Sequence, residues 1–511
     1  MIMTYRVYTN PILPGFHPDP SIIRVEDDYY MVNSTFQYFP AIVISHSRDL
    51  VHWRYIGHAI TRNEDINLLD LPDSYGIWAP DISYVNGMYY IFATLRLAGS
   101  GRANIMMKSV RPEGPYSSPV VINTMGIDPS HFVDDDGTRY MVYGSKGAQI
   151  VKLNKDSTAA VEEPVHLWEG TGRIAPEGPH IIKKDGYYYI ILAEGGTEYG
   201  HCITAARSKS LYGPYEASPF DPVHTQSDRQ AQIQRAGHGK LVQTQHGEWW
   251  IVHLGGRPLG GGYCTLGRET YLEPVQWTKD GWFTVNEGNG PSLIQRAPNL
   301  NEVVYSEPEL DEFAGKSLPL HWQFVRNPEA ANWSLTERPS HIRIWTSDGE
   351  LDSIRARNIL LRRERHHHYT ASMKLEFQPK HNGEQAGLVC YYDSRCYISL
   401  SSIYDQGLKL KLEENRAQVR SCLAVKDIVH KGALFLKVVV NAERRMFYYS
   451  LDLIEWYEIG RVDNALFLSD EGTLEKKSFT GTMVGFYALH GGSGRRIPAD
   501  IDWFLYQTID H

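Results

Sequence analysis

The sequence predicts an all-β protein in two parts, a repeating N-terminal part and a non-repeating C-terminal one. Three observations carry this. Short apolar runs rich in Tyr and Trp alternate with Gly, Pro and Asp, and no stretch holds a sustained helical period. A hairpin-like unit recurs at DYYMV (28–32), GMYYI (87–91), GTRYM (137–141), GYYYI (186–190) and GEWWI (247–251). Its spacing of roughly fifty to sixty residues is that of a propeller blade or a solenoid turn. From Phe313 onward the repeat is gone, and alternating strands separated by frequent turns read as a β-sandwich.

The clearest unit is APEGPH (175–180) followed by IIKKDGYYYIILAE (181–194). Proline and glycine around Glu177 exclude a helix interior, so this carboxyl sits on a tight lead-in. Asp185-Gly186 is a strong hairpin signal between β-branched and aromatic flanks. The other units are preceded in the same phase by Asp19 (HPDPS), Asp81 (WAPDI), Asp128 (IDPSH) and His238 (AGHGK), each flanked by Pro or Gly. If each hairpin opens a four-stranded blade, its first strand lines a central channel, and three or four carboxylates and one imidazole converge at one end. A second repeated element, HSRDLVHW (46–53), KSVRPEGPY (108–116) and RSKSLYGPY (207–215), reads as the turn onto an outer strand. Residues 288–311 are loop-like and rich in Asn, Pro and Glu. The expected division is a propeller over 1–295, a linker over 296–311 and a sandwich over 312–511, with strands at 371–377, 386–392 and 434–441.

Composition narrows the function. The net charge of −9 argues against nucleic acid or an anionic membrane as partner, since both select basic surfaces. The five cysteines (Cys202, Cys264, Cys390, Cys396, Cys422) are odd in number and lack a close CxxC pair, so they read as reduced thiols. The N-terminal stretch lacks the basic and apolar regions of a signal peptide, and no apolar run is long enough to span a bilayer. The expected location is the cytoplasm, with a small imported substrate.

PILPGFHPDPS (11–21), VNSTF (32–36), IWAP (77–80), GIDPS (126–130), EGPH (177–180), GGT (195–197) and LGRET (266–270) resemble, in order, the signature segments of glycoside hydrolase family 43. The resemblance is to the branch holding β-xylosidases and α-L-arabinofuranosidases with a C-terminal β-sandwich, and HWQF (321–324) with RNP (326–328) resembles the start of that sandwich. It implies a five-bladed propeller, a concanavalin-like sandwich that helps shape the pocket, and inversion at the anomeric carbon. It assigns the general acid to Glu177, the general base to Asp19 and an orienting, pKa-raising carboxylate to Asp128. A nearby negative charge would keep the acid protonated near neutrality.

The resemblance also points to Phe36, Trp78, Thr197 and Arg268 for sugar binding. Aromatic faces stack on the apolar side of a pyranose, and a guanidinium donates paired hydrogen bonds to adjacent hydroxyls. His238 is placed near the channel centre, touching a water or an ion. A calcium ion there is an allowed extra and no cofactor is required. Each residue has an ordinary rival: Asp-Pro turns for Asp19 and Asp128, a solvated loop for Glu177, core aromatics for Phe36 and Trp78, a salt bridge for Arg268, and a structural channel residue for His238. Asp81 reads as a strand-start cap. GGRPLGGG (255–262) reads as a mobile loop and His366–His368 as a solvated strand end, and YALHGGSGR (487–495) is the candidate pocket-closing loop. The expected activity is exo-release of xylose from β-1,4-xylo-oligosaccharides. Exo-α-L-arabinofuranosidase action on arabinosyl-substituted oligosaccharides, and a non-catalytic sugar-binding propeller, are the alternatives. The chain is expected to be a homo-oligomer.

Overall fold

The computed structural model describes residues 5–429, 432–473 and 478–509. The five repeats form five antiparallel four-stranded sheets, each built in chain order from the axis outward. Blade I comprises Ser21–Val25, Asp28–Asn33, Ala41–Ser47 and Arg54–Ile60; blade II comprises Gly76–Val85, Met88–Arg96, Arg102–Ser109 and Val120–Asn123. Blade III comprises Ile127–Val133, Arg139–Gly144, Ala148–Lys152 and Val165–Trp168. Blade IV runs from Glu177–Lys184 through Tyr187–Glu194 and Cys202–Ser208 to Glu216–Ala217, with His224–Thr225 also on its third strand. Blade V comprises Gln234–Gln243, Trp249–Gly256, Glu269–Trp277 and Phe283–Val285. The repeated hairpin motifs are the second strands, and the second repeated element is the turn between third and outermost strands.

Packing explains the aromatic repeat. A strand turns alternate side chains to opposite faces, and a blade has a neighbour on both faces, so both sets must be apolar. In blade II, Tyr89 and Ile91 pack with Val32 and Ile44 of blade I, while Tyr90 and Phe92 pack with Met141 and Tyr143 of blade III. Similar clusters join III to IV, IV to V and V to I. Each blade is one contiguous stretch of chain, so the ring closes outside the blades. Val7–Thr9 pairs with Ile294–Arg296, and the Asn10 side chain donates to Leu272 O at 3.0 Å.

Below the mouth of the channel the inner strands meet at Asp81. Its carboxylate accepts from Lys240 Nζ of blade V (2.5 Å), Ser21 Oγ of blade I (2.7 Å) and the His131 amide of blade III (2.9 Å), and His180 Nδ1 of blade IV lies 3.6 Å away. Asp81 therefore does not cap its own strand, as its Pro-Asp setting suggested. It lies inside that strand and bonds it to blades I, III and V, with His180 of blade IV packed beside it, because a buried carboxylate needs a cation and several donors.

The C-terminal part is a sandwich of two large sheets around one apolar core that includes Trp322, Tyr369, Leu388, Phe486 and Phe504. The strands expected at 371–377, 386–392 and 434–441 are His368–Phe377, Gln385–Asp393 and Leu434–Asn441. The first sandwich strand, Leu310–Asp311, pairs with Pro498–Thr508. One sheet ends on Tyr38–Phe39, a strand supplied by the propeller, which pairs with Gln323–Val325. The two parts are thus joined by main-chain hydrogen bonds as well as by side chains.

Three sequence expectations change. Gly255 and Gly256 complete a strand, and the turn after them is packed, with Gly260 against Leu466 and Gly262 against Tyr199, so this stretch is not a free loop. His366, His367 and His368 do lie at the start of a strand but are half-buried rather than solvated. Leu489 closes Met483–Leu489, and the turn beyond it meets Glu384 and Ser347 of the sandwich, while Tyr487 and Leu489 pack in the apolar cluster that holds Phe36, so 487–495 is a strand end and turn rather than a projecting loop. All five cysteines are free.

Removing one partner of a buried pair leaves an uncompensated charge. Lys240→Met is expected to destabilise the protein by about 3–5 kcal/mol, and pairing it with Asp81→Asn should recover much of that loss, as read from urea denaturation midpoints.

Candidate active site

At the mouth of the channel the inner strands abandon regular pairing. Register shifts fall between Ile77 and Pro80, Ile127 and Ser130, Glu177 and His180, and Gln234 and Gly239. A bulge bends a strand and re-aims its side chains, often through a residue at positive φ. Asp128 (φ 55°), Gly178 (58°) and His238 (42°) take that conformation within the bulges, and Asp19 (52°) takes it just before its strand. At Gly178 the glycine is required twice over, because a Cβ would also fall 2.9 Å from the His238 ring.

These distortions bring the predicted groups together. Ligand atoms of Asp128, Glu177 and His238 all lie within 4.8 Å of one another, and His238 Nδ1 is 3.9 Å from Asp19 Oδ1. Asp19 accepts from Ser34 Oγ at 2.6 Å and from Arg268 Nη1 at 3.0 Å. The Asp128 amide donates to Thr94 Oγ1 at 2.8 Å, fixing the bulge that carries it. Asp19, Asp128, His238 and Arg268 are all buried.

The electrostatics separate the carboxyls. Burial alone would raise Asp19, but the Arg268 guanidinium, His238 and the Ser34 hydroxyl hold it below the usual aspartate range. Burial, and then the Asp19 charge, push Glu177 up to about 7 against the weaker opposing pull of Arg268. Asp128 is pushed well above the ordinary range by burial and by Glu177 and Asp19. Asp19 thus adds its charge to the mutual repulsion of Asp128 and Glu177, which the sequence led us to expect from Asp128 alone. Asp128 and Glu177, close together in a dry site, both favour the protonated form.

Around these groups stands an aromatic wall. Phe36, Trp78 and Phe479 lie with ring centroids 5.8–6.4 Å apart, and the Arg268 guanidinium sits 5.6 Å from the Phe36 ring and 5.7 Å from that of Phe479. Arg268 spends three of its five donors on Asp19, Thr197 Oγ1 (3.3 Å) and Phe479 O (3.1 Å). Its buried Nε has no hydrogen-bond partner among the described residues. Thr197 braces Arg268.

Phe479 comes from the sandwich, and no sequence signal singled it out. The nearest hint is the glycine-threonine run after it: Gly481 and Gly267 lie back to back, where a Cβ on Gly481 would fall 2.5 Å from Leu266 O. Ser34 was likewise missed, although it lies within the VNSTF segment. His238 with Asp128 and Glu177 supplies one imidazole and two carboxyls. Calcium takes six to eight oxygen ligands, so the residues do not fit a calcium held by the chain alone. A cavity of about 500 Å³ between blade I and the sandwich is lined by Trp53, Tyr55, Tyr305 and Arg365, and none of the three carboxyls borders it.

Splitting an acetal asks for one carboxyl that keeps its proton and one that gives it up. The propeller mouth offers both, and this is the outline of a glycosidase. Residues 8–283 match the glycosyl hydrolases family 43, and residues 310–507 match the beta xylosidase C-terminal concanavalin A-like domain. The chain belongs to glycosyl hydrolase family 43. The GH43 BlXynB protein from Bacillus licheniformis is 58% identical over 99% of this chain and 100% of that one, with a TM-score of 0.97. A xylan 1,3-beta-xylosidase of a Vibrio species is 37% identical, over 97% of this chain and 98% of its own length. A non-reducing end alpha-L-arabinofuranosidase of Bacteroides ovatus is 35% identical, over 99% and 96%.

A carboxyl whose folded pKa lies above its unfolded value costs stability as pH rises through that interval. For Glu177 the interval runs from 4.5 to about 7. Glu177→Gln is therefore expected to stabilise the protein at pH 8, by about 3 kcal/mol as read from urea denaturation, and to change its stability little at pH 4.

Proposed function

We propose that this chain is an exo-acting, inverting glycosidase that releases D-xylose from the non-reducing end of β-1,4-xylo-oligosaccharides. The observation that carries the reading is the Arg268 guanidinium bonded to Asp19 at 3.0 Å in the pocket that also holds Glu177, which keeps Asp19 low while burial and the Asp19 charge push Glu177 up to about 7. Asp19, held ionised by Arg268, is the general base that takes a proton from the attacking water. Glu177, protonated at neutral pH, gives its proton to the leaving glycosidic oxygen. Asp128 is the neighbour whose approach within 4.8 Å makes loss of the Glu177 proton costlier and so keeps the acid protonated. Inversion follows from a base and an acid on opposite faces of the ring with a water between base and anomeric carbon, for which such pairs stand roughly 6.5–9.5 Å apart.

Phe36, Trp78 and Phe479 would take the apolar faces of the terminal sugar, and the Arg268 guanidinium beside them a ring hydroxyl. A wall completed by the sandwich favours one terminal sugar over a through-running polymer, and hence exo-action. Relatives named as β-xylosidase and as α-L-arabinofuranosidase both cover the whole chain, which supports α-L-arabinofuranosides as a second substrate class. Five free cysteines, one of them exposed, support action in a reducing compartment on imported oligosaccharides.

Comparing kcat/KM on p-nitrophenyl β-D-xylopyranoside and α-L-arabinofuranoside, and on β-1,4- against β-1,3-xylobiose, tests the substrate reading. α-Xylose is expected as the first product by proton NMR; β-xylose would overturn the mechanism. kcat/KM should fall above pH about 7 as Glu177 loses its proton, and at low pH as Asp19 gains one. Glu177→Ala should cost about 10²–10⁴-fold on xylobiose but much less on the nitrophenyl glycoside, whose leaving group needs no proton; Asp19→Ala should be costly on both.

A further inference from the structure

Arg235 lies three residues before His238 on the first strand of blade V and takes no part in the chemistry described so far. It is 2% exposed, sits at φ 62° in the blade V bulge, and faces the sandwich. Its Nη1 and Nη2 donate to Asp470 Oδ1 and Oδ2 at 3.1 and 2.5 Å, and Nη1 also reaches Glu471 Oε1 at 2.8 Å. Its Nε donates to Thr197 O at 2.8 Å. Glu471 is itself tied to the propeller, accepting from the Cys264 amide at 3.0 Å.

Both ends of this cluster lead to the pocket. On the propeller side Thr197 accepts from Arg268, which pairs with Asp19. On the sandwich side Thr473 Oγ1 lies at hydrogen-bonding distance from both Asp470 O (2.9 Å) and Ser478 Oγ (3.1 Å). The next residue, Phe479, accepts from Arg268 through its carbonyl and donates from its amide to Ser74 Oγ at 3.0 Å. A guanidinium held by two acidic side chains through several hydrogen bonds is strong and directional. A domain contact of purely structural use has no need to share a residue with the braces of Arg268.

We propose that Arg235 is the positioning residue of the sugar pocket: by fastening Asp470 and Glu471 of the sandwich to Thr197, it sets Arg268 and Phe479 in register with the substrate. The proposal deepens the glycosidase reading and rests on it for the substrate, though not for the contact. Arg235 reaches Asp19 only through Arg268, whereas it bears directly on the contact that seats Phe479, so its loss weakens binding of the terminal sugar more than proton donation by Glu177.

The experiment uses the full chain with Arg235→Lys, Asp470→Asn, Glu471→Gln and the double variant Arg235→Lys/Asp470→Asn. KM on the better chromogenic pentoside, and the inhibition constant of the free pentose, should each rise about tenfold or more in Arg235→Lys with kcat within about threefold. The double variant should add little to the larger single effect, since both act through one contact. Hydrogen exchange of the amides of residues 478–482 should quicken in each variant, a readout independent of any substrate. Unchanged exchange there, or an unchanged KM in an active folded variant, overturns the proposal. If Arg235→Lys does not fold, Asp470→Asn and Glu471→Gln, which keep side-chain volume, must still show both effects. A wild type that hydrolyses neither pentoside defeats the glycosidase reading alone, and the exchange measurement still decides the contact.

Discussion

The ion pair between Arg268 and Asp19 is the interaction on which the site depends. Without the guanidinium, three carboxyls and an imidazole buried at one point would settle their charge by taking up protons, because burial raises each carboxyl in turn. Arg268 selects which one stays ionised. The charge so fixed on Asp19 then lifts Glu177, so one contact produces the unlike pair that acetal hydrolysis needs.

That pair exists because the propeller supplies rigid backing to irregular backbone. Positive-φ residues in bulges are strained and persist only where their surroundings over-determine them. Here the backing is the Asp81 hub just below, where Lys240, Ser21, His131 and His180 draw the five inner strands together, and the apolar layers between blades. The blades hold the mouth steady and the mouth carries the departures from regularity.

The sandwich completes the site. It shares a sheet with the propeller through Tyr38–Phe39 and contributes Phe479 to the pocket wall, so the binding surface is made by two domains packed as one. Arg268 is again the meeting point, bonded to Asp19 from one part of the chain and to the Phe479 carbonyl from the other.

Much of this was legible in the sequence. The repeat of aromatic hairpins marks strands buried on both faces, and Pro- or Gly-flanked polar groups in constant phase mark where inner strands break, so Asp19, Asp128, Glu177 and His238 could be named from spacing and motif together. Local signals end there. Asp81 shares the phase yet belongs to a lower ring, because a register shift of two or three residues decides depth along the channel and is set by cross-strand pairing. Phe479 and Arg235 have no local mark, since their use arises from a contact between domains more than two hundred residues apart. The resemblance had already named Asp19 as the charged base and Glu177 as the protonated acid, but the cause, Arg268 beside Asp19, belongs to the tertiary structure, because proton affinity depends on burial and on which distant side chain arrives. The sequence by itself determined the blades, the sandwich and the cast of acidic groups; only the folded chain decided their depth, their proton affinities and the wall that faces them.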